Sequence, residues 1–141
     1  MTMIPIPKEF LHFLKLLDQH KVKYLLIGGY AVAYYGYVRA TGDMDVYVEC
    51  SSKNAQSIVK ACQVFGLGEA VTPDLFTESG NVVRFGLPPM RLEVLNEISG
   101  VKFQECWKNR ESLVIKDQNI PVICLKDLLK KKKCPGEPKI N

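Results

Sequence analysis

Four consecutive apolar residues, Tyr24-Leu25-Leu26-Ile27, run straight into Gly28-Gly29. A segment that short and that apolar suits a strand buried on both faces, and a glycine pair stops it. Tyr30 to Tyr35 then reads as a short helix ended by Gly36. A buried strand turning at once into a helix restricts the chain to folds that interleave the two around one sheet.

The rest of the chain agrees with that restriction. Phe10, Phe13, Leu14 and Leu17 share one face of a helix expected over 8–20, after Pro5 and Pro7 as start signals. A second strand is expected over 45–49, and Ser51-Ser52 caps a helix over 53–65. Residues 66–80 read as a loop, with strands over 82–85 and 91–95 joined through Gly86-Leu87-Pro88-Pro89. Then follow a short helix over 101–109 and strands over 113–115 and 120–123 around an Asp117-Gln118-Asn119 turn. A lysine-rich helix over 125–133 and a tail over 134–141 close the chain. There are no internal repeats and no linker, so one domain over 1–141 of mixed α/β (α+β) class is expected.

Composition narrows the function classes. The chain has 141 residues, 47% of them hydrophobic and 24% charged, which suits a folded domain with a real core and not a disordered segment. Its net charge of +4 comes wholly from the end: six lysines from Lys126 onward face only Asp127 and Glu137. Residues 1–125 balance, so composition does not point to a general polyanion-binding surface. The run Lys130-Lys131-Lys132-Lys133 suits a solvated helix end, with attraction to RNA phosphate as the functional version. Five cysteines (Cys50, Cys62, Cys106, Cys124, Cys134) form no C-x-x-C pair and follow nothing resembling a signal peptide. Reduced thiols in a cytoplasmic protein, with no disulfide-linked partner, are therefore expected. The longest uncharged stretch, 24–38, is shorter than the ~20 residues a bilayer helix needs, so no membrane segment is expected.

The chemistry sits around the glycine pair. A strand ending in Gly28-Gly29 at a helix start presents backbone N–H groups that a phosphate can approach. Asp43 and Asp45, two apart on a strand, project to one face. Two carboxylates so close repel unless a divalent cation lies between them. Arg91-Leu92-Glu93-Val94-Leu95 supplies a third acid between aliphatic neighbours that point the other way, and Glu93 joins the same face if the two strands are neighbours.

Gly28-Gly29, Asp43-Met44-Asp45 and a separate apolar-acid-apolar strand resemble the signature of the DNA polymerase β-like nucleotidyltransferase superfamily. More narrowly, Gly28-Gly29-x-Ala31 with Arg39-x-Thr41-x-Asp43-x-Asp45 is similar to the minimal nucleotidyltransferases of abortive-infection and toxin–antitoxin systems. The resemblance implies a single-domain polymerase β-like fold and a reaction in which NMP passes from an NTP to an acceptor hydroxyl with release of pyrophosphate. It implies that Asp43, Asp45 and Glu93 are catalytic and bind two Mg²⁺ or Mn²⁺ ions, and that Gly28, Gly29 and Arg39 bind the nucleotide. The acceptors it implies are a tRNA end, a partner protein such as a cognate toxin or antitoxin, or a small molecule. The chain departs from the pattern in lacking Ser after the first glycine, in using Glu and not Asp as third acid, and in stopping at Asn141, where relatives continue into a further helix. A non-catalytic antitoxin-like module with the same fold is the alternative.

Among the remaining residues, Arg84 and Arg91 are placed to flank a triphosphate or to stand as ordinary strand arginines, and the ordinary reading is favoured for Arg91. Tyr30, Tyr34, Tyr35 and Tyr37 crowd the glycine loop, where one of them has the shape to stack on a base. Trp107 reads as core, and His12 and His20 as surface or capping groups of the first helix.

Overall fold

The structure is a computed structural model that describes residues 6–36, 42–87 and 90–130. The first helix, α1 (Lys8–Gln19), buries Phe10, Leu11, Phe13, Leu14, Leu16 and Leu17, the stripe its sequence spacing dictates. His20 closes it, its Nδ1 lying 2.9 Å from the Leu16 carbonyl. The strand β1 (Tyr24–Ile27) is buried at all four positions and leads directly into α2 (Gly28–Tyr34). The strand β2 (Asp43–Val48) starts two residues before the expected 45, because its pairing with a later strand extends back to Asp43. Ser51 caps α3 (Ser52–Phe65) by accepting from the Asn54 N–H at 3.2 Å, and Gly66 ends it at φ 104°.

The expected loop over 66–80 contains a 3₁₀ turn (Gly68–Ala70) and one turn of helix, α4 (Asp74–Thr77). The strands β3 (Val82–Phe85) and β4 (Arg91–Leu95) form an antiparallel pair at the expected positions. After α5 (Phe103–Lys108), β5 (Glu111–Ile115) and β6 (Gln118–Val122) form a second hairpin. Its turn is Lys116-Asp117, both at positive φ (50° and 65°), one residue earlier than Asp117-Gln118-Asn119. A two-residue turn with both residues left-handed matches the twist of paired strands, and cross-strand register selects it. The helix α6 (Leu125–Lys130) ends the described chain, so the expected continuation to 133 and the tail lie outside the described residues.

The six strands form one mixed sheet in the order β3-β4-β2-β1-β6-β5. β1 pairs antiparallel with β2 and parallel with β6, while β2 and β4 run parallel. Leu26, Met44, Val46, Leu92 and Val94 point to one face and are buried there, against the side on which Phe10 of α1 and Phe65 of α3 meet Leu92 around a shared apolar groove. The alternate residues point to the other face. Tyr47 on that face packs edge-on against Phe103 of α5, their centroids 5.1 Å apart, leaving the Asp43 end of β2 for the site.

Two asparagines tie the layers together. Asn54, 4% exposed, accepts from the Lys23 N–H at 2.8 Å and donates to the Lys23 and Glu49 carbonyls at 3.1 and 2.9 Å. Asn96, 7% exposed, accepts from the Gly80 and Asn81 N–H groups and donates to the Phe76 and Glu78 carbonyls. Buried polar side chains persist when their donors and acceptors are matched in this way. Among the described residues, no helix is long and apolar enough to cross a membrane. The four described cysteines carry free thiols: Cys62 and Cys106 buried, Cys50 exposed and Cys124 between.

Candidate active site

Strand direction assembles the site. β2 and β4 run parallel, so their N-terminal halves lie at the same end of the sheet; β1 is antiparallel to β2, so its C-terminal end meets them there. Register then sets the partners: Asp43 lies beside Arg91, Asp45 beside Glu93, and Ile27 beside Asp45. Period-two alternation puts Asp43, Asp45, Arg91 and Glu93 on one face, and the β3–β4 register adds Arg84 opposite Glu93. The three acids thus share a face beside the glycine pair, as their sequence spacing predicts.

Gly28 is required by a neighbouring strand as well as by its own turn. At φ 71° it occupies left-handed backbone, and a Cβ there would overlap Asp45 Oδ2 and lie 3.0 Å from Asp45 Cγ. The space freed by the missing side chain is already filled by the Asp45 carboxylate, which lies against the first turn of α2. Gly29 follows in the same turn, half-buried. Arg39 and Thr41 lie outside the described residues, and Gly42 is half-buried just before β2.

The repulsion between acids is answered by arginine. Arg91 Nη2 donates to Asp43 Oδ2 at 2.8 Å and lies 3.5 Å from Glu93 Oε2. Arg84 Nε donates to Glu93 Oε2 at 3.0 Å. Asp43 and the surrounding acids hold the Arg91 guanidinium even further above its ordinary range, chiefly through that hydrogen bond, so its charge is permanent. The reading of Arg91 as an ordinary strand arginine is therefore corrected: it bridges acids from two strands. The signal was present in the sequence, since Arg91 and Glu93 are two apart on one strand.

The donor set of hard carboxylate oxygens suits a divalent cation of the magnesium class, and the bare Cα of Gly28 leaves room for the Asp45 carboxylate. In this arrangement, among the described residues, no three acidic, histidine or cysteine side chains gather closely enough to hold a metal ion. The donors fit in kind and in face; the two arginines stand on two of them.

The aromatic candidates divide. Tyr30 is buried against Phe10, and Tyr35 donates to the Ile123 carbonyl at 2.7 Å, tying α2 to the end of β6. Tyr34 packs edge-on against Tyr35 with centroids 4.8 Å apart, and Tyr37 lies outside the described residues. Trp107, expected in the core, is half-buried, stacked on Phe103 and covered by the Arg110 guanidinium 3.9 Å from its ring. Its exposed face attracts the guanidinium through the ring quadrupole. His12 is exposed beside Phe65, and His20 caps α1. Lys130 lies 3.9 Å from the buried Asp127, and Lys131 to Lys133 lie outside the described residues.

No protein-family model matches the sequence, and neither does any curated protein. Comparison with solved structures finds the fold. A protein from Thermotoga maritima, described as "a putative nucleotidyltransferase", superposes with a TM-score of 0.56 over 89% of this chain and 83% of its own. The two are 14% identical. The chain thus has a nucleotidyltransferase-like fold: a mixed α/β structure with a six-stranded mixed sheet flanked by helices.

Proposed function

We propose that this protein is a metal-dependent nucleotidyltransferase that transfers NMP from an NTP to an acceptor hydroxyl. The observation that carries the reading is the register of β2 and β4, which sets Asp45 against Glu93 with Asp43 on the same face. Asp43 and Asp45 would hold both of two Mg²⁺ or Mn²⁺ ions, and Glu93 would complete the one on the acceptor side. When bound, such a pair stabilises the attacking and leaving oxygens of an in-line phosphoryl displacement. The protein's own residues orient and neutralise. The rigid strand pair fixes the three carboxylates, and a Glu93 oxygen accepts the proton of the acceptor hydroxyl. Gly28, Gly29 and Arg39 contact the triphosphate, and the missing Cβ of Gly28 leaves room for Asp45 beside it. The acceptor is a tRNA end, a protein hydroxyl or a small molecule, and a toxin–antitoxin or phage-defence setting follows from the resemblance of the motif. A cytoplasmic location fits this substrate.

The alternative, a non-catalytic antitoxin-like module, draws on the arginines that stand on Asp43 and Glu93. One experiment separates the two. The protein is incubated with each labelled NTP, Mg²⁺ or Mn²⁺ and extract of its native cells. Label passing to one macromolecule or small molecule, and lost in Asp45→Ala, supports the enzyme. No transfer from any NTP with either metal ends that reading in favour of the module.

A further inference from the structure

We infer that Arg91 is a resident counter-cation of the acid cluster, bridging Asp43 and Glu93, and sets how tightly the cluster takes up a divalent metal, an inference that rests on the metal-dependent reading above. One of its nitrogens serves two acids from neighbouring strands, donating to Asp43 Oδ2 at 2.8 Å and lying 3.5 Å from Glu93 Oε2. Its Nε is buried without a hydrogen-bond partner, and among the described residues the hydrogen bond holding the guanidinium is the one to Asp43. Yet 32% of the side chain remains exposed, which gives it a way out.

Metal and guanidinium compete for the same oxygens. A divalent ion on Asp43 and Glu93 needs lone pairs that Arg91 holds, and two cations a few ångströms apart on one face repel. Arg91 cannot yield by losing its proton, because guanidinium stays charged at any pH a protein tolerates. It has to move. Metal uptake in the empty protein is therefore weakened by the work of displacing it, and the acids are kept from repelling one another until the ion arrives. In the sequence this device is the pair Arg91-x-Glu93, with the register of β4 against β2 bringing Asp43 within reach.

The test measures Mn²⁺ binding without nucleotide, from the electron-spin resonance signal of the free ion, on wild type, Arg91→Gln, Arg91→Lys and Asp45→Asn, with melting curves of each. Arg91→Gln is expected to bind Mn²⁺ about tenfold more tightly than wild type, the scale of one charge-assisted hydrogen bond. Arg91→Lys keeps the charge but cannot bridge as a fork does, so a gain of about threefold is expected. Metal-free Arg91→Gln should melt below wild type and gain more from Mn²⁺, a recovery that a purely structural arginine would not show. Affinity in Arg91→Gln equal to or weaker than wild type overturns the inference and leaves the metal-dependent reading intact. If Arg91→Gln does not fold, Arg91→Lys decides by the same criterion. Absence of Mn²⁺ binding in all four proteins, with or without added nucleoside triphosphate, overturns the metal-dependent reading and the inference with it.

Discussion

Asp45 and Glu93 stand opposite each other in register across the parallel β2–β4 pair, two acids from distant segments held on one face of the sheet. If they act as proposed, Asp45→Ala and Glu93→Ala should each lower nucleotidyl transfer by about 10²-fold or more, the scale of removing one transition-state charge stabiliser. Pyrophosphate release measures the loss, and circular dichroism establishes that the fold remains. Binding of an RNA or protein partner should be largely unchanged, because the effect falls on rate and not on docking.

Gly28→Ala should destabilise the protein and disturb the site together. Left-handed backbone costs an L-residue roughly 1–2 kcal/mol, and the new Cβ collides with the Asp45 carboxylate besides. A urea titration should show a lowered midpoint at unchanged slope. An unchanged midpoint would mean that Asp45 has another place to sit.

Asn54→Asp tests the clamp at the opposite ends of β1 and β2 from the site. The substitution keeps the shape but turns the group that donates to the Lys23 and Glu49 carbonyls into an acceptor. Loss of those bonds with like dipoles facing each other should cost about 2–3 kcal/mol. The penalty should ease as pH falls toward about 4, because the buried carboxyl regains its proton, and can donate, at a higher pH than the same group in the unfolded chain. Melting temperatures of mutant and wild type across that range measure it.

Cys62 is fully buried, and burial pushes its thiol from about 9 up to about 12. Above pH 9 the unfolded chain ionises this thiol while the folded protein keeps its proton, so the unfolded state binds fewer protons and stability falls as pH rises. Relative to Cys62→Ala, the wild type should lose up to roughly 1.4 kcal/mol per pH unit above 9. Chemical denaturation at pH 8, 9.5 and 10.5 checks the sign. In the native protein at neutral pH a thiol reagent should label Cys50 well before Cys62 or Cys106.

The acids were legible because their information is local. Alternation along 43–45 and along 91–95 settles which side chains share a face of each strand, whatever lies next to it. The same holds for β1 and α1, whose apolar patterns are complete within a few residues, and for β3 and β4, whose limits match their spacing. The site's partnerships are not local. Nothing within 43–49 says that β2 begins at Asp43 and not Asp45; the ladder to Arg91 does. Nothing within 113–123 selects Lys116-Asp117 as the turn; the pairing of Glu111 with Val122 does.

Charge shows the division most plainly. From the sequence, Asp43 and Asp45 call for a cation between them, and chemistry alone suggests a metal. Which cation meets the acids depends on the strand that becomes the neighbour, and β4 brings Arg91, which bridges Asp43 and Glu93. Gly28 divides in the same way, since a glycine after a strand announces a turn, while its bare Cα is filled by a carboxylate from another strand. The sequence alone determined most of the elements, their apolar faces and the shared face of the acids within each strand, because those follow from side-chain period. Strand order and register, decided only when the sheet closes over one core, determined which side chain answers each charge.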